Sequence, residues 1–305
     1  MWAEECWYPR RLLPNLNTES IMRYTDTVSF EHAAIGAQSF PISLHPRWVV
    51  TPFPTSPLWQ RMHAKFDPEH FMYAAPPVDV GKLTLDTTSL EGLRVLRCPI
   101  KAAGSKELIV PSELQPLEPL IRYLMELELH INPKFADFWC HVSFERTQVQ
   151  AEGTQRVPGW HVDGFQGVRV PRHQVEHSYL WADVAPTEFC IQPFFISHLD
   201  AGRHNIFDEL TCQAREANAY AGLPGHVYLI DPYVVHRSPV MQQAGWRSFF
   251  RMTFTETELE DTNNTRNLAL ALTQDYASRI DVRDRFYAYD GDIPWHSYGL
   301  KPVKP

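Results

Sequence analysis

Hydrophobic and polar positions divide the chain into three parts. Residues 1 to about 110 have weak periodicity and are punctuated by proline, as in "SFPISLHPRWVVTPFPTSPLW", so this segment is expected to wrap a core built elsewhere. In "SELQPLEPLIRYLMELELHI", Leu117, Leu120, Ile121, Leu124 and Met125 recur at helical spacing behind a Ser112/Gln115 capping pattern. That predicts an amphipathic helix within residues 111–135, backing a sheet.

From residue 136 the pattern shortens to β-type runs: "FWCHVSFERTQV", "HSYLWADV", "EFCIQPFFI", "HVYLIDPYVVH" and "WRSFFRMTFTE". Gly, Pro and polar turns such as "AGLPG" and "QQAG" separate them. Many short strands without alternating helices predict an antiparallel jelly roll over residues 136–257. A second amphipathic helix is expected around "TRNLALALTQDYASR", with Leu268, Leu272 and Tyr276 on one face, within a C-terminal segment 258–305. The expected fold class is thus mainly β with flanking helices, as one domain over residues 1–305.

Composition narrows the partners. A formal charge of −8 argues against a nucleic-acid binder, and no apolar run is long enough for a membrane helix, so a small molecule is the expected partner. Five scattered cysteines with no C-x-x-C pair fit neither a disulfide framework nor a thiolate metal cage, and favour a reducing cytoplasm. The N-terminus, with acids ahead of its first basic pair, shows no secretory signal.

His161 and Asp163 in "PGWHVDGFQG" point the same way from an extended chain and can share one divalent ion. By itself this pair means little. Chance alone yields about as many His-x-acid matches as the chain contains, and a second one is His198/Asp200. A third ligand is available at His236, at the end of an apolar strand. Arg247 follows eleven residues later, after a hairpin turn. Residues 247, 249, 251 and 253 share one strand face, which is either the solvated one, as is usual for Arg, or is turned inward, where the Arg247 guanidinium requires a carboxylate.

The order His161-x-Asp163, His236, Arg247 resembles the Fe(II)/2-oxoglutarate-dependent oxygenase superfamily, in the phytanoyl-CoA hydroxylase and taurine dioxygenase manner. The resemblance implies a double-stranded β-helix core of jelly-roll, cupin-like type, with His161, Asp163 and His236 as Fe(II) ligands. It also implies that Arg247 grips the far carboxylate of 2-oxoglutarate, with O2 as the oxidant and succinate and CO2 released. About four strands then separate the ligand pair from the distal His, which takes roughly 36 residues. The 75 positions from His161 to His236 accommodate them comfortably; the 38 from His198 leave nothing for loops. The decoy is therefore expected to be structural.

Hydroxylation is the default outcome. Desaturation, cyclisation and epimerisation use the same site, and halogenation is disfavoured because Asp163 is present. By the same resemblance Arg251, four beyond Arg247, is a candidate for a substrate anion, and Thr187 in "APTEF" for 2-oxoglutarate. Strand alternation puts His141, Ser143 and Glu145 on a mixed face that either lines the barrel or meets solvent. Tyr179 and Trp181 are either pocket wall or core, and Trp160 either packs or borders the site. Two other readings stand beside the oxygenase: a cupin-type metal enzyme without 2-oxoglutarate, which has no need of Arg247, and a catalytically silent barrel that binds a ligand.

Overall fold

The structure, a computed structural model, describes residues 68–132, 134–156, 158–163, 176–196, 206–259 and 263–270, with four two-residue strands nearer the N-terminus. These strands are β1 (Val28–Ser29), β2 (Ala34–Ile35), β3 (Gln38–Ser39) and β4 (Ser43–Leu44). β1 pairs with β4 and β2 with β3.

The body of the protein is a six-stranded antiparallel sheet in the order β5-β11-β8-β13-β7-β6. Its strands are β5 (Val78–Lys82), β6 (Arg94–Lys101), β7 (Trp139–Val149), β8 (Glu176–Ala182), β11 (His226–Ile230) and β13 (Gly245–Thr255). A second sheet, β10-β9-β12, is built from β9 (Glu188–Cys190), β10 (Ala219–Ala221) and β12 (His236–Arg237). Among the described residues the architecture is mainly antiparallel β with two α-helices, consistent with a jelly-roll-like core.

Alternation along the strands sorts side chains between two cores. Phe250, Met252 and Phe254 of β13, Cys140, Val142 and Phe144 of β7, and Val227 and Leu229 of β11 face outward. Helix α1 (Glu118–Ile131) covers them with Leu120, Ile121, Leu124 and Met125. Each such aliphatic side chain contributes about 1.5–3 kcal/mol by leaving water. The opposite face of the large sheet supplies Leu180, Tyr228, Ile230 and Phe249 to a second core, shared with Trp160, Phe189, Val234 and Val235 of the facing layer. Helix α2 (Ile206–Gln213) closes one side of that core through Ile206, Phe207 and Leu210.

Three expectations change. The outermost strands of the large sheet, β5 and β6, come from the segment expected to wrap a core, so the sheet begins at Val78 rather than after residue 135. Edge strand β6 is irregular, with register shifts at Val95/Cys98 and Pro99/Lys101, which hid it from pattern reading. The helix is a 3-10 turn over Ser112–Leu117 followed by α1, and the Ser112 hydroxyl donates to Glu113 rather than capping. Pro119 in the first turn sets the α-helical start instead. At the C-terminal end, residues 263–270 are not helical and Leu268 is 92% exposed; Leu272 and Tyr276 lie outside the described residues. This stretch instead borders β6: Thr265 exchanges hydrogen bonds with Leu96, and Asn267 donates to Pro99 O and Ile109 O.

A buried polar cluster holds α1 to the sheet. Glu128 on α1 accepts from Tyr179 Oη at 2.8 Å and Asn132 Nδ2 at 2.7 Å, and bonds His177 Nε2 at 2.8 Å. Burial pushes the Glu128 carboxyl up, but His177, Asn132 and Tyr179 together take it below its ordinary value. Tyr179 therefore faces the helix, as does Trp181, whose indole donates to Leu83 O and Gly225 O. Both belong to the outer core, and the pocket-wall expectation for them is not met.

Candidate metal and anion site

His161 and His236 are joined by an isolated antiparallel bridge, with His161 N donating to His236 O at 2.9 Å and His236 N donating to His161 O at 2.8 Å. Among the described residues, strands β8 to β11 lie between them in sequence. Paired residues project to the same side, so the imidazoles converge with ring centroids 4.5 Å apart. Asp163, two residues on, joins them; one ligand atom from each of the three lies within 4.8 Å of the others.

The donor set fits a divalent ion. His161 Nδ1 is 3.0 Å from Gly159 O and His236 Nδ1 is 2.9 Å from Val234 O. A carbonyl only accepts, so each Nδ1 carries the proton and each Nε2 presents its lone pair. Burial, with His236 next to it, draws the His161 imidazole down to about 4, which keeps it neutral. Burial pushes the Asp163 carboxyl up, but Arg251, His236 and His161 hold it well below the usual carboxylate range. Its Oδ1 accepts from Arg251 at 2.7 Å, while its buried Oδ2 has no hydrogen-bond partner. A buried, charged oxygen with nothing to accept from is suited to a cation.

Gly159 sets the orientation of His161. Its φ of 89° lies in the left-handed region, and its carbonyl orients the His161 ring. Gly159→Ala is expected to cost about 1–2 kcal/mol of stability and to weaken metal binding about tenfold, read by thermal denaturation and metal titration.

Outside the triad, Arg237 follows His236 and lies over the Trp160 ring at 4.2 Å, while pairing with Glu188 and Glu216. Trp160 thus packs beside the site rather than lining it. Thr187 is buried two residues ahead of Phe189, the strand partner of His236, and its carbonyl accepts from Gly222. His198 and Asp200 lie outside the described residues.

Arg247 is 1% exposed and projects from the inner face of β13. Its Nε donates to Ala185 O at 2.9 Å and its Nη1 to Gln155 Oε1. Gln155 is itself fixed, donating to Arg247 O and Thr147 Oγ1. Among the described residues no carboxylate pairs with Arg247, and burial draws its guanidinium down to about 10. Across the ladder Ser143 stands opposite Arg251, His141 opposite Thr253 and Glu145 opposite Phe249. All three are buried, so the interior alternative holds for this face and the solvated one does not.

Three nearby residues escaped sequence reasoning: Gln155, Arg156 and Arg97. The first two sit in a connection without periodicity. Arg97 sits at a bulge with φ 44°, which strand alternation cannot anticipate. A bulge signal was available only in the Pro99 that interrupts the run.

No family model and no curated protein matches the chain. Among solved structures, EvdO2 from Micromonospora carbonacea var. aurantiaca is similar over 47% of this chain and 67% of its own, at 13% identity and TM-score 0.27. Its complex with 2-oxoglutarate aligns at 14% identity and TM-score 0.28, over 47% of this chain and 67% of its own. A Pseudomonas putida prolyl-4-hydroxylase aligns over 48% of this chain and 68% of its own, at 12% identity and TM-score 0.27.

Proposed function

We propose that the protein is an Fe(II)- and 2-oxoglutarate-dependent oxygenase that oxidises a small molecule, by hydroxylation as the default outcome. One observation carries this reading: the same interior that holds the His161/Asp163/His236 triad also buries Arg247 with no carboxylate partner among the described residues. A triad alone serves many metal enzymes, but a buried guanidinium calls for an anion beside the metal.

When bound there, Fe(II) with 2-oxoglutarate supplies the O2-dependent oxidation of a C–H bond, releasing succinate and CO2. The chain's own residues prepare the site. Gly159 O and Val234 O fix the two imidazole tautomers. Arg251 orients Asp163 through Oδ1 and leaves Oδ2 for the metal. Gln155 and Ala185 O hold Arg247 in one rotamer, so the carboxylate it receives meets a guanidinium already in place. Thr187 is a candidate for a further contact to the same co-substrate, and His141, Ser143, Glu145 and Arg251 for substrate contacts.

The test is anaerobic addition of Fe(II) and 2-oxoglutarate with visible spectroscopy. The native protein is expected to develop the weak metal-to-ligand charge-transfer band of a chelated 2-oxo acid. Arg247→Ala is expected to require about 30-fold or more 2-oxoglutarate, because truncating one partner of a buried charge pair costs about 2–5 kcal/mol. No band in the native protein sinks the co-substrate role. A cupin-type enzyme without 2-oxoglutarate would bind metal, show no band and ignore the Arg247 substitution.

A further inference from the structure

One residue beside Arg247 holds a conformation that its sequence disfavours. Ala185 has φ 42°, in the left-handed region that residues with a Cβ seldom adopt. It also precedes Pro186, whose ring pushes the residue before it toward extended backbone. Backbone held against preference in this way persists only where the surroundings over-determine it. Here they do so from both sides. Ahead of Ala185, Asp183 is tied to the residue that follows Arg247: Ser248 N donates to Asp183 Oδ1 at 2.8 Å, and Asp183 N donates to Ser248 O at 3.3 Å. Beyond Ala185, Gly222 N donates to Thr187 O at 3.0 Å, Arg237 Nε donates to Glu188 Oε2 at 2.6 Å, and Phe189 pairs with His236. The chain from Asp183 to Phe189 is therefore strung between the strand of Arg247 and the strand of a triad histidine, which leaves Ala185 little room to relax.

What the strained residue supplies is an acceptor. Its carbonyl takes the Arg247 Nε–H at 2.9 Å, while Gln155 Oε1 takes one hydrogen of Nη1. A guanidinium has five N–H donors, so with these two engaged the remaining ones lie on Nη1 and Nη2. The edge made by Nε and Nη2 is closed by the Ala185 carbonyl, and a carboxylate is directed to the Nη end of the group. Had the Ala185 peptide the extended conformation usual before a proline, its carbonyl would leave Nε, and the guanidinium would lose one of its two fixed contacts.

We propose that Ala185 is a positioning residue for the co-substrate: its left-handed conformation, imposed by the anchors at Asp183 and Thr187, aims a carbonyl at Arg247 Nε and so directs the carboxylate to the Nη end. This rests on the oxygenase reading for the word co-substrate, whereas the aiming of Arg247 stands without it.

Two substitutions of opposite conformational preference, made in the full chain, test this. A β-branched valine is an outlier at positive φ and turns the peptide away, whereas glycine reaches the same φ freely. Ala185→Val is expected to require about tenfold or more additional 2-oxoglutarate to form the charge-transfer band, the loss of one charge-assisted hydrogen bond, with a smaller change in Co(II) affinity. Ala185→Gly, the conservative variant, is expected to recover most of the 2-oxoglutarate affinity. The second readout needs no ligand: in heteronuclear spectra of the arginine side chains, the Arg247 Nε–H, assigned with Arg247→Lys, is expected to exchange slowly with solvent in the native protein and at least about tenfold faster in Ala185→Val. Native exchange and a native 2-oxoglutarate requirement in Ala185→Val overturn the proposal, as does equal weakening by valine and glycine. Should Ala185→Val lose its near-ultraviolet circular dichroism, the native protein decides, and an Arg247 Nε–H that exchanges there as fast as exposed arginines overturns the proposal. A protein that forms no charge-transfer band, yet whose Arg247 Nε–H responds to Ala185→Val, keeps the positioning role and loses the co-substrate. One that forms the band at native 2-oxoglutarate in Ala185→Val does the reverse.

Discussion

Asp163→Ala is expected to abolish turnover and to lower metal affinity by at least about 100-fold, more than the tenfold to hundredfold typical of losing a residue that merely supports a ligand. Asp163 contributes the only carboxylate of the triad. Without it two neutral imidazoles remain, which hold a divalent ion weakly. The substitution has a second effect, because Asp163 Oδ1 accepts from Arg251 at 2.7 Å, with both side chains 12% exposed. Removing the carboxylate leaves the guanidinium without that counter-charge, so the metal-free variant is expected to be less stable than the metal-free native chain. Asp163→Asn separates the contributions, since it keeps the shape and one oxygen but not the charge. Co(II) titration followed by its visible d–d bands, with thermal denaturation of the metal-free proteins, measures both effects. Native-like Co(II) affinity in Asp163→Ala would falsify the ligand assignment.

The largest loss of stability is expected far from the triad, at Glu128. Its carboxylate takes hydrogen bonds from three residues in a fully buried setting, so Glu128→Ala leaves Asn132, His177 and Tyr179 short of a partner together. Breaking such a network costs about 3–5 kcal/mol, which in a chain of this size lowers Tm by roughly 10 °C. A pH effect follows from the lowered carboxyl of Glu128. The folded state binds its proton less readily than the unfolded chain does, so its contribution is complete above the ordinary glutamate range. It is lost as pH falls through that range toward the lower folded value. Glu128→Gln is expected to flatten this part of the acid denaturation curve. An unchanged slope would mean that the carboxylate charge is not what α1 relies on.

Why some of this was legible in sequence and some was not comes down to period and polarity. The face of α1 follows a 3.6-residue period, and every apolar position named for it is buried. On β13 the alternation of Arg and Phe with Ser, Phe and Met places Arg247 and Arg251 inward, because the other set is apolar enough to meet a helix. The spacing from His161 to His236 favoured His161/Asp163 as the pair, because chain length limits how many strands fit between two points; these two do cluster with His236, while His198 and Asp200 lie outside the described residues. Strand β8 is buried on both sides, so its pattern assigned neither Tyr179 nor Trp181 to a face. Arg97 depends on a bulge, and Gln155 and Arg156 on a connection whose path no local period encodes. Of these, Gln155 is the one that holds Arg247 in place.

The backbone bridge between His161 and His236 has a consequence for dynamics. Two of the three proposed ligands are tied by reciprocal amide bonds that need no metal, so their separation is set by chain pairing before any ion arrives. Little ordering entropy is then lost on metal capture at these two positions. In hydrogen–deuterium exchange the His161 and His236 amides should be protected in metal-free protein almost as well as in loaded protein, while the Asp163 amide, outside the bridge, should gain the most protection on loading.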